Sequence, residues 1–163
     1  MIENPNVAVC GGQIDEFIDD VDNIIGHRIV PCDNDKIYKY MISRCAFNHM
    51  TVALRRPTII NNGNYLPWHY NEDYYLWIRL MNAKVEFANL PDTLTHMRVG
   101  KEMYKRRGGH KYFESELGLQ KLMLSKGLIS RVRYWFNVSV RWVVQIAMPI
   151  WLRTFMFQKF FRK

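Results

Sequence analysis

Asn71-Glu72-Asp73-Tyr74-Tyr75-Leu76-Trp77-Ile78-Arg79 decides how the rest of the chain is read. Two adjacent carboxylates open a stretch in which Leu76, Arg79 and Leu80 recur at helical spacing while Trp77 and Ile78 widen the apolar face, so the pattern predicts an amphipathic helix. A carboxylate in a first turn is favoured by the positive end of the helix dipole, and capping alone accounts for Asn71, Glu72 and Asp73. A carboxylate kept ionised at the mouth of a cleft also suits a general base, which must take a proton from an attacking hydroxyl. Spacing leaves both readings open.

Composition bounds the function classes. The chain has 163 residues, 48% hydrophobic and 14% aromatic, which suits one domain with a real core and excludes disorder. A net charge of +8 calls for an anionic partner. Most of that excess follows Arg98, whereas Asp15, Glu16, Asp19, Asp20 and Asp22 lie in a stretch without a base. Cys10, Cys32 and Cys45 are scattered and fit no paired metal spacing, so free thiols in a reducing compartment are expected. No pair of histidines has the helical spacing of a zinc site, and no metal ligands are assigned. Glu3, Asn4 and Pro5 interrupt any apolar run at the start, so no signal peptide is expected. The charge alone favours nucleic acid, and with no zinc finger or RNA-binding aromatic strand in the sequence that partner is not expected.

Along the chain, Met1 to Asn6 reads as the tail of a helix and a turn, and Val7 to Val9 as a buried strand ending at Gly11-Gly12. Gln13 to Asp22 leaves the core for a solvated loop. Ile29-Val30-Pro31 is a short apolar segment stopped by proline. Ile37, Tyr38, Met41 and Ile42 predict a helix over 35–44, capped by Asp33-Asn34-Asp35. Phe47 to Leu54 has a polar start and a β-rich end, which suits a loop that carries Asn48 and His49 to a cleft rim and then enters a strand. His49 is equally a loop histidine bonded to backbone. Asn61 to Tyr65 is a turn, and Trp68, His69 and Tyr70 offer flat, partly polar surfaces ahead of the carboxylates. Lys84 to Leu90 reads as a strand ended by Pro91, Thr93 to Val99 as a further strand, and Tyr112 to Ser125 as a helix closed by Lys126-Gly127. Lys101 to Lys111 is a cationic, glycine-containing loop.

The Glu-Asp stretch, followed by an aromatic residue, Leu-Trp and Arg, resembles the motif of the family 2 glycosyltransferases, in particular bacterial enzymes that build surface polysaccharides. Four blocks agree in the same order: Val9-Cys10-Gly11-Gly12-Gln13-Ile14, Phe47-Asn48-His49-Met50-Thr51-Val52, Phe87-Ala88-Asn89-Leu90-Pro91 and Met103-Tyr104-Lys105-Arg106-Arg107-Gly108-Gly109. The resemblance implies an α/β fold, an incomplete GT-A-like, Rossmann-related domain with a mixed sheet, of which residues 1–127 form the acceptor-side part. It implies Asp73 as catalytic base with Glu72 beside it, and substrate contacts from Asn48, His49, Trp77, Arg106 and Arg107, the two arginines at the pyrophosphate end. It implies a nucleotide-sugar donor, a glycan or lipid-linked acceptor, and inversion at the sugar by a single displacement. The complete enzyme is expected to use Mg or Mn. Its donor-binding part, roughly the first hundred residues of the family's domain, and its Asp-rich metal motif have no counterpart here, so a missing N-terminal half is expected.

From Arg131 onward aromatic and aliphatic residues dominate, with arginines and lysines between them. Arg141, Gln145, Pro149 and Arg153 interrupt every window of the roughly 20 apolar residues that a spanning helix needs. Residues 128–163 therefore read as an amphipathic tail on an anionic membrane surface or as a helix pair packed on the domain, and the two can coexist. The resemblance implies an acceptor carried on lipid at the inner leaflet, so a cytoplasmic protein on the inner face of the cell membrane is expected. The other class of reading is a noncatalytic, membrane-associated scaffold derived from such an enzyme.

Overall fold

The computed structural model describes residues 1–100 and 108–149. Arg106 and Arg107, and the tail from position 150, lie outside the described residues. The fold is mixed α/β and is organised on one strand, β1 (Val7–Phe17), which is buried along nearly its whole length. Strand β4 (Glu86–Arg98) runs parallel to it on one side. On the other side β3 (Ala53–Leu54) pairs with Val9 and Cys10, and β2 (Ile24–Arg28) pairs with 14–17, both antiparallel.

Two breaks expected from the sequence are absent. Gly11-Gly12 does not end β1. A Cβ on Gly11 would collide with Oδ1 of Asn89, and one on Gly12 would stand 2.5 Å from Cδ1 of Leu94, so the glycines thin the strand where these β4 side chains fold against it. Pro91 does not divide β4 either. Between the pairs Gly11↔Asn89 and Gln13↔Thr93, β1 advances two residues and β4 four, so Pro91 sits in a bulge where no ladder donor is required. Buried Gln13 closes this irregularity: its Nε2 donates to the carbonyls of Leu90 (2.7 Å) and Val30 (3.2 Å), and its Oε1 accepts from Val30 N–H at 2.7 Å. Residues 1–6 form a turn rather than the end of a helix, with Val7 N–H bonded to the Asn4 carbonyl.

Helix α1 (Asn34–Met41) follows the predicted periodicity and buries Ile37 and Met41. Asp33 is its N-cap by position only, since the carboxylate pairs with Lys36 at 2.8 Å, while Asn34 Oδ1 accepts from Phe87 N–H and ties the helix to β4. A short helix α2 (Arg56–Asn61), with Pro57 in its first turn, follows β3 and leads into the turn after Asn61. Helix α3 (Glu72–Asn82) serves two cores. Leu76, Trp77, Leu80 and Met81 pack with Val9, Ile37, Phe47 and Phe87, whereas Tyr74 and Ile78 pack with α4 (His110–Ser125) and α5 (Arg131–Trp142). Ile129 and Tyr134 are buried in this second core, so packing runs continuously across the 127/128 boundary. A π-helical turn, Val143–Ala147, follows α5.

Gly12→Val should lower stability by about 1–3 kcal/mol through overpacking against Leu94. Gly100→Ala, with nothing within 4 Å of the added Cβ, should leave it unchanged. Equal denaturant midpoints for the two variants would contradict the close approach of Leu94 to Gly12.

Candidate functional site

The start of α3 is fixed by side chains that lie far away in sequence. Asn71 Nδ2 donates to Ser115 Oγ at 3.0 Å, and Ser115 Oγ donates to the His69 carbonyl at 2.5 Å. Trp68 Nε1 donates to the Ser115 carbonyl at 3.2 Å, and its ring lies over Gly118, where a Cβ would approach Cζ2 to 2.7 Å. Asn71 therefore spends its side chain on α4 and makes no capping bond. The two carboxylates then diverge. Glu72 is exposed and stands outside the cleft, whereas Asp73 is half-buried and lines it. One Asp73 oxygen, Oδ1, accepts from Tyr74 N–H at 2.7 Å, and Oδ2 makes no hydrogen bond among the described residues.

The cleft, about 640 Å³, lies between the loop after α1, the first turn of α3, and helices α4 and α5. Four arginines line it (Arg28, Arg44, Arg133, Arg141) against the carboxylates of Asp73 and Glu116, so it favours an anionic ligand. His49, in the 3-10 turn His49–Thr51, is exposed at the rim, with Nε2 3.0 Å from the Tyr65 hydroxyl. Burial, then Asp73 and then Glu72, push the Tyr65 phenol above its ordinary range. It stays protonated and donates to His49 when the imidazole carries its proton on Nδ1. Arg79 puts Tyr65 there: Nη1 donates to the Asn62 carbonyl at 2.7 Å and Nη2 to that of Asn64 at 2.5 Å, while the guanidinium lies 4.7 Å from the Tyr75 ring centroid.

Two residues expected to touch substrate are structural instead. Asn48 is fully buried and donates to the Gly12 carbonyl at 2.8 Å, locking its loop to β1. Trp77 is also fully buried and packs against Phe47 with ring centroids 5.1 Å apart. Its position in the apolar stripe of α3 carries it into the core. Arg106 and Arg107 are not among the described residues.

The floor uses groups that the sequence did not single out. Glu116 and Arg141 form a nearly buried ion pair, Oε2 to Nε at 2.5 Å, and Arg141 Nη2 also donates to the Ser43 carbonyl at 2.6 Å. Asn137 Nδ2 donates to Gln120 Oε1 and to the Ile42 carbonyl, both at 2.8 Å. The ion pair spans 25 residues and two helices, so no local pattern announces it. Cys45 faces the cleft beside Arg28, whose Nη2 donates to the Cys45 carbonyl at 3.0 Å. Burial pushes the Cys45 thiol up to about 12, with Asp73 adding to the rise, so it is no nucleophile.

No group of three or more His, Cys, Asp and Glu side chains among the described residues is placed to share an ion. Asp33 is paired with Lys36 and Asn34 is bonded to β4, so two of the three side chains of Asp33-Asn34-Asp35 are committed elsewhere. These residues do not fit a divalent cation, and no chemistry is assigned through one.

Glu116→Ala should destabilise the fold by about 3–5 kcal/mol, because it strands the Arg141 charge; an unchanged midpoint would contradict the pair. In native protein near pH ~8, where only a thiolate reacts quickly, iodoacetamide should spare Cys45 until denaturant is added. Rapid native labelling would contradict the thiol's environment.

No protein-family model and no solved structure matches the chain. Curated relatives do. The chain is 38% identical over 161 residues to a Haemophilus influenzae protein described as an uncharacterized glycosyltransferase. It is 31% identical over 159 residues to the amylovoran biosynthesis glycosyltransferase AmsE of Erwinia amylovora. It is also 31% identical, over 163 residues, to the Escherichia coli UDP-Gal:alpha-D-GlcNAc-diphosphoundecaprenol beta-1,3-galactosyltransferase. These alignments take in 98–100% of this chain but 58–59% of each relative. The chain is thus similar, end to end, to a little more than half of proteins named as glycosyltransferases.

Proposed function

We propose that this chain is the acceptor-side part of a family 2, GT-A-type glycosyltransferase that acts in bacterial surface-polysaccharide synthesis. The observation that carries the reading is the divergence of the two carboxylates at the start of α3: Asp73 lines the cationic cleft and Glu72 does not. The similarity to named glycosyltransferases over nearly the whole chain supports it. The donor is a nucleotide sugar, and the acceptor is a glycan or lipid-linked glycan. In the proposed step an acceptor hydroxyl gives its proton to Asp73 as its oxygen attacks the sugar's anomeric carbon. The bond from that carbon to the nucleoside diphosphate breaks at the same time, and the diphosphate leaves with the electron pair. One displacement inverts the centre, and one base suffices. The His49–Tyr65 pair orients the acceptor hydroxyl at the rim.

On this reading the donor's nucleotide and the expected Mg or Mn are held mainly by residues outside this chain, with Arg106 and Arg107 meeting the leaving diphosphate. Work on a lipid-linked acceptor places the protein on the inner face of the cell membrane.

The test is sugar transfer from a panel of nucleotide sugars to lipid-linked acceptors, in membranes from cells expressing the gene that carries this sequence. Asp73→Asn should lower turnover by about 10²–10⁴-fold at an unchanged protein level, and Glu72→Gln should have a much smaller effect. Transfer that survives Asp73→Asn would remove the base assignment.

A further inference from the structure

Helix α5 is buried on one side only. Tyr134 and Asn137 face the core, whereas Val132 is 81% exposed, Trp135 65%, Phe136 60% and Trp142 51%. At ~100° per residue, these four and Val140 fall within about 160° of the helix circumference. Ser139 is the one polar side chain among them, and Arg131 and Arg133 stand at the two borders. An apolar face of this breadth marks an interaction site.

Charge identifies the partner. No Asp or Glu follows Glu116 in the chain, whereas nine Lys and Arg residues do. Nucleic acid would satisfy the cations and leave the rings in water. A second protein's apolar patch would satisfy the rings and leave the cations. An anionic bilayer surface takes both at once, with indole and phenyl rings at the acyl boundary and guanidinium groups on the phosphates above. Among the described residues no helix is long and apolar enough to cross a membrane, so α5 could meet a bilayer only at its interface.

The same face also forms one wall of the site. Arg133, Phe136 and Val140 line the cleft that holds Asp73. We propose that α5 seats the chain on an anionic bilayer through Val132, Trp135, Phe136 and Trp142, with Arg131 and Arg133 on lipid phosphates. The cleft then opens at headgroup level, where a lipid-linked acceptor enters sideways without leaving the membrane. Lateral entry rests on the glycosyltransferase reading, and the seating does not.

Flotation of the full chain with phosphatidylcholine vesicles, with and without phosphatidylglycerol, tests the seating. Val132→Glu with Trp135→Glu should weaken binding to anionic vesicles at least about tenfold, and Arg131→Gln with Arg133→Gln should weaken it on those vesicles alone. All four side chains are exposed, so circular dichroism should match the wild type, and Asp73→Asn should float like the wild type. Undiminished binding of the Val132/Trp135 variant would overturn the proposal and shift attachment to residues 150–163. Self-association removed by the same substitutions, without vesicle binding, would overturn it in favour of a second copy. The Val132/Trp135 variant should also lose transfer to an acceptor in vesicles while keeping transfer to a water-soluble short-chain acceptor. Equal loss of both would remove lateral entry and leave the seating intact.

Discussion

Helix α3 is held from two sides, and the rest of the site depends on that double burial. Leu76, Trp77, Leu80 and Met81 sink into the core beneath the sheet, and Tyr74 and Ile78 into the core shared with α4 and α5. A helix that packs on one side can roll or slide; one gripped on both sides cannot, because close-packed interiors resist small shifts. Tyr74 adds a polar anchor, its hydroxyl donating to the Met41 carbonyl at 2.5 Å, and burial pushes its phenol well above the ordinary range, so it stays a donor. With the helix body fixed, little freedom is left at its N-terminus. Asp73 therefore meets the cleft at a defined place.

The opposite wall is built on a different principle. Helix α5 adds to the apolar contact of Tyr134 a set of buried polar groups: the Glu116–Arg141 pair, the Ser43 carbonyl, and Asn137 between Gln120 and Ile42. Burying the two charges costs solvation, which the extra hydrogen bonds to Arg141 help to offset. Polar bonds on the inner side leave the apolar residues of α5 to face outward. A helix fixed by hydrophobic contact alone would have turned those rings inward. The polar inner side and apolar outer side are thus two consequences of one arrangement, and the cleft lies along their border.

Much of the fold is legible in the sequence where periodicity is local. The apolar spacing of α1, α3 and α4 places those helices within a few residues, and the pair Glu72-Asp73 marks the start of α3 correctly. Local signals mislead where a distant neighbour decides. Gly11-Gly12 and Pro91 read as breaks, yet β4 lies so close over the glycines that only they fit, and a bulge absorbs the proline. Asn48 has the polar character of a site residue but spends it on the Gly12 carbonyl. Trp77, expected from the resemblance to touch substrate, is buried by its place in the α3 stripe. Arg79, read only as part of a motif, positions Tyr65 through two backbone carbonyls. Glu116 and Arg141 meet only after two helices have packed.

The central claim is that an acceptor hydroxyl is presented to Asp73 beside the His49–Tyr65 pair. Proton–carbon NMR of the histidine rings, during titration with a short-chain lipid-diphosphate glycan, tests it most directly. His49, at the cleft rim, should shift in a saturable way, while His96, on β4 beside Asp15 at 3.5 Å, should not move. A saturable shift at His96 with His49 unchanged would place the acceptor elsewhere and contradict the account.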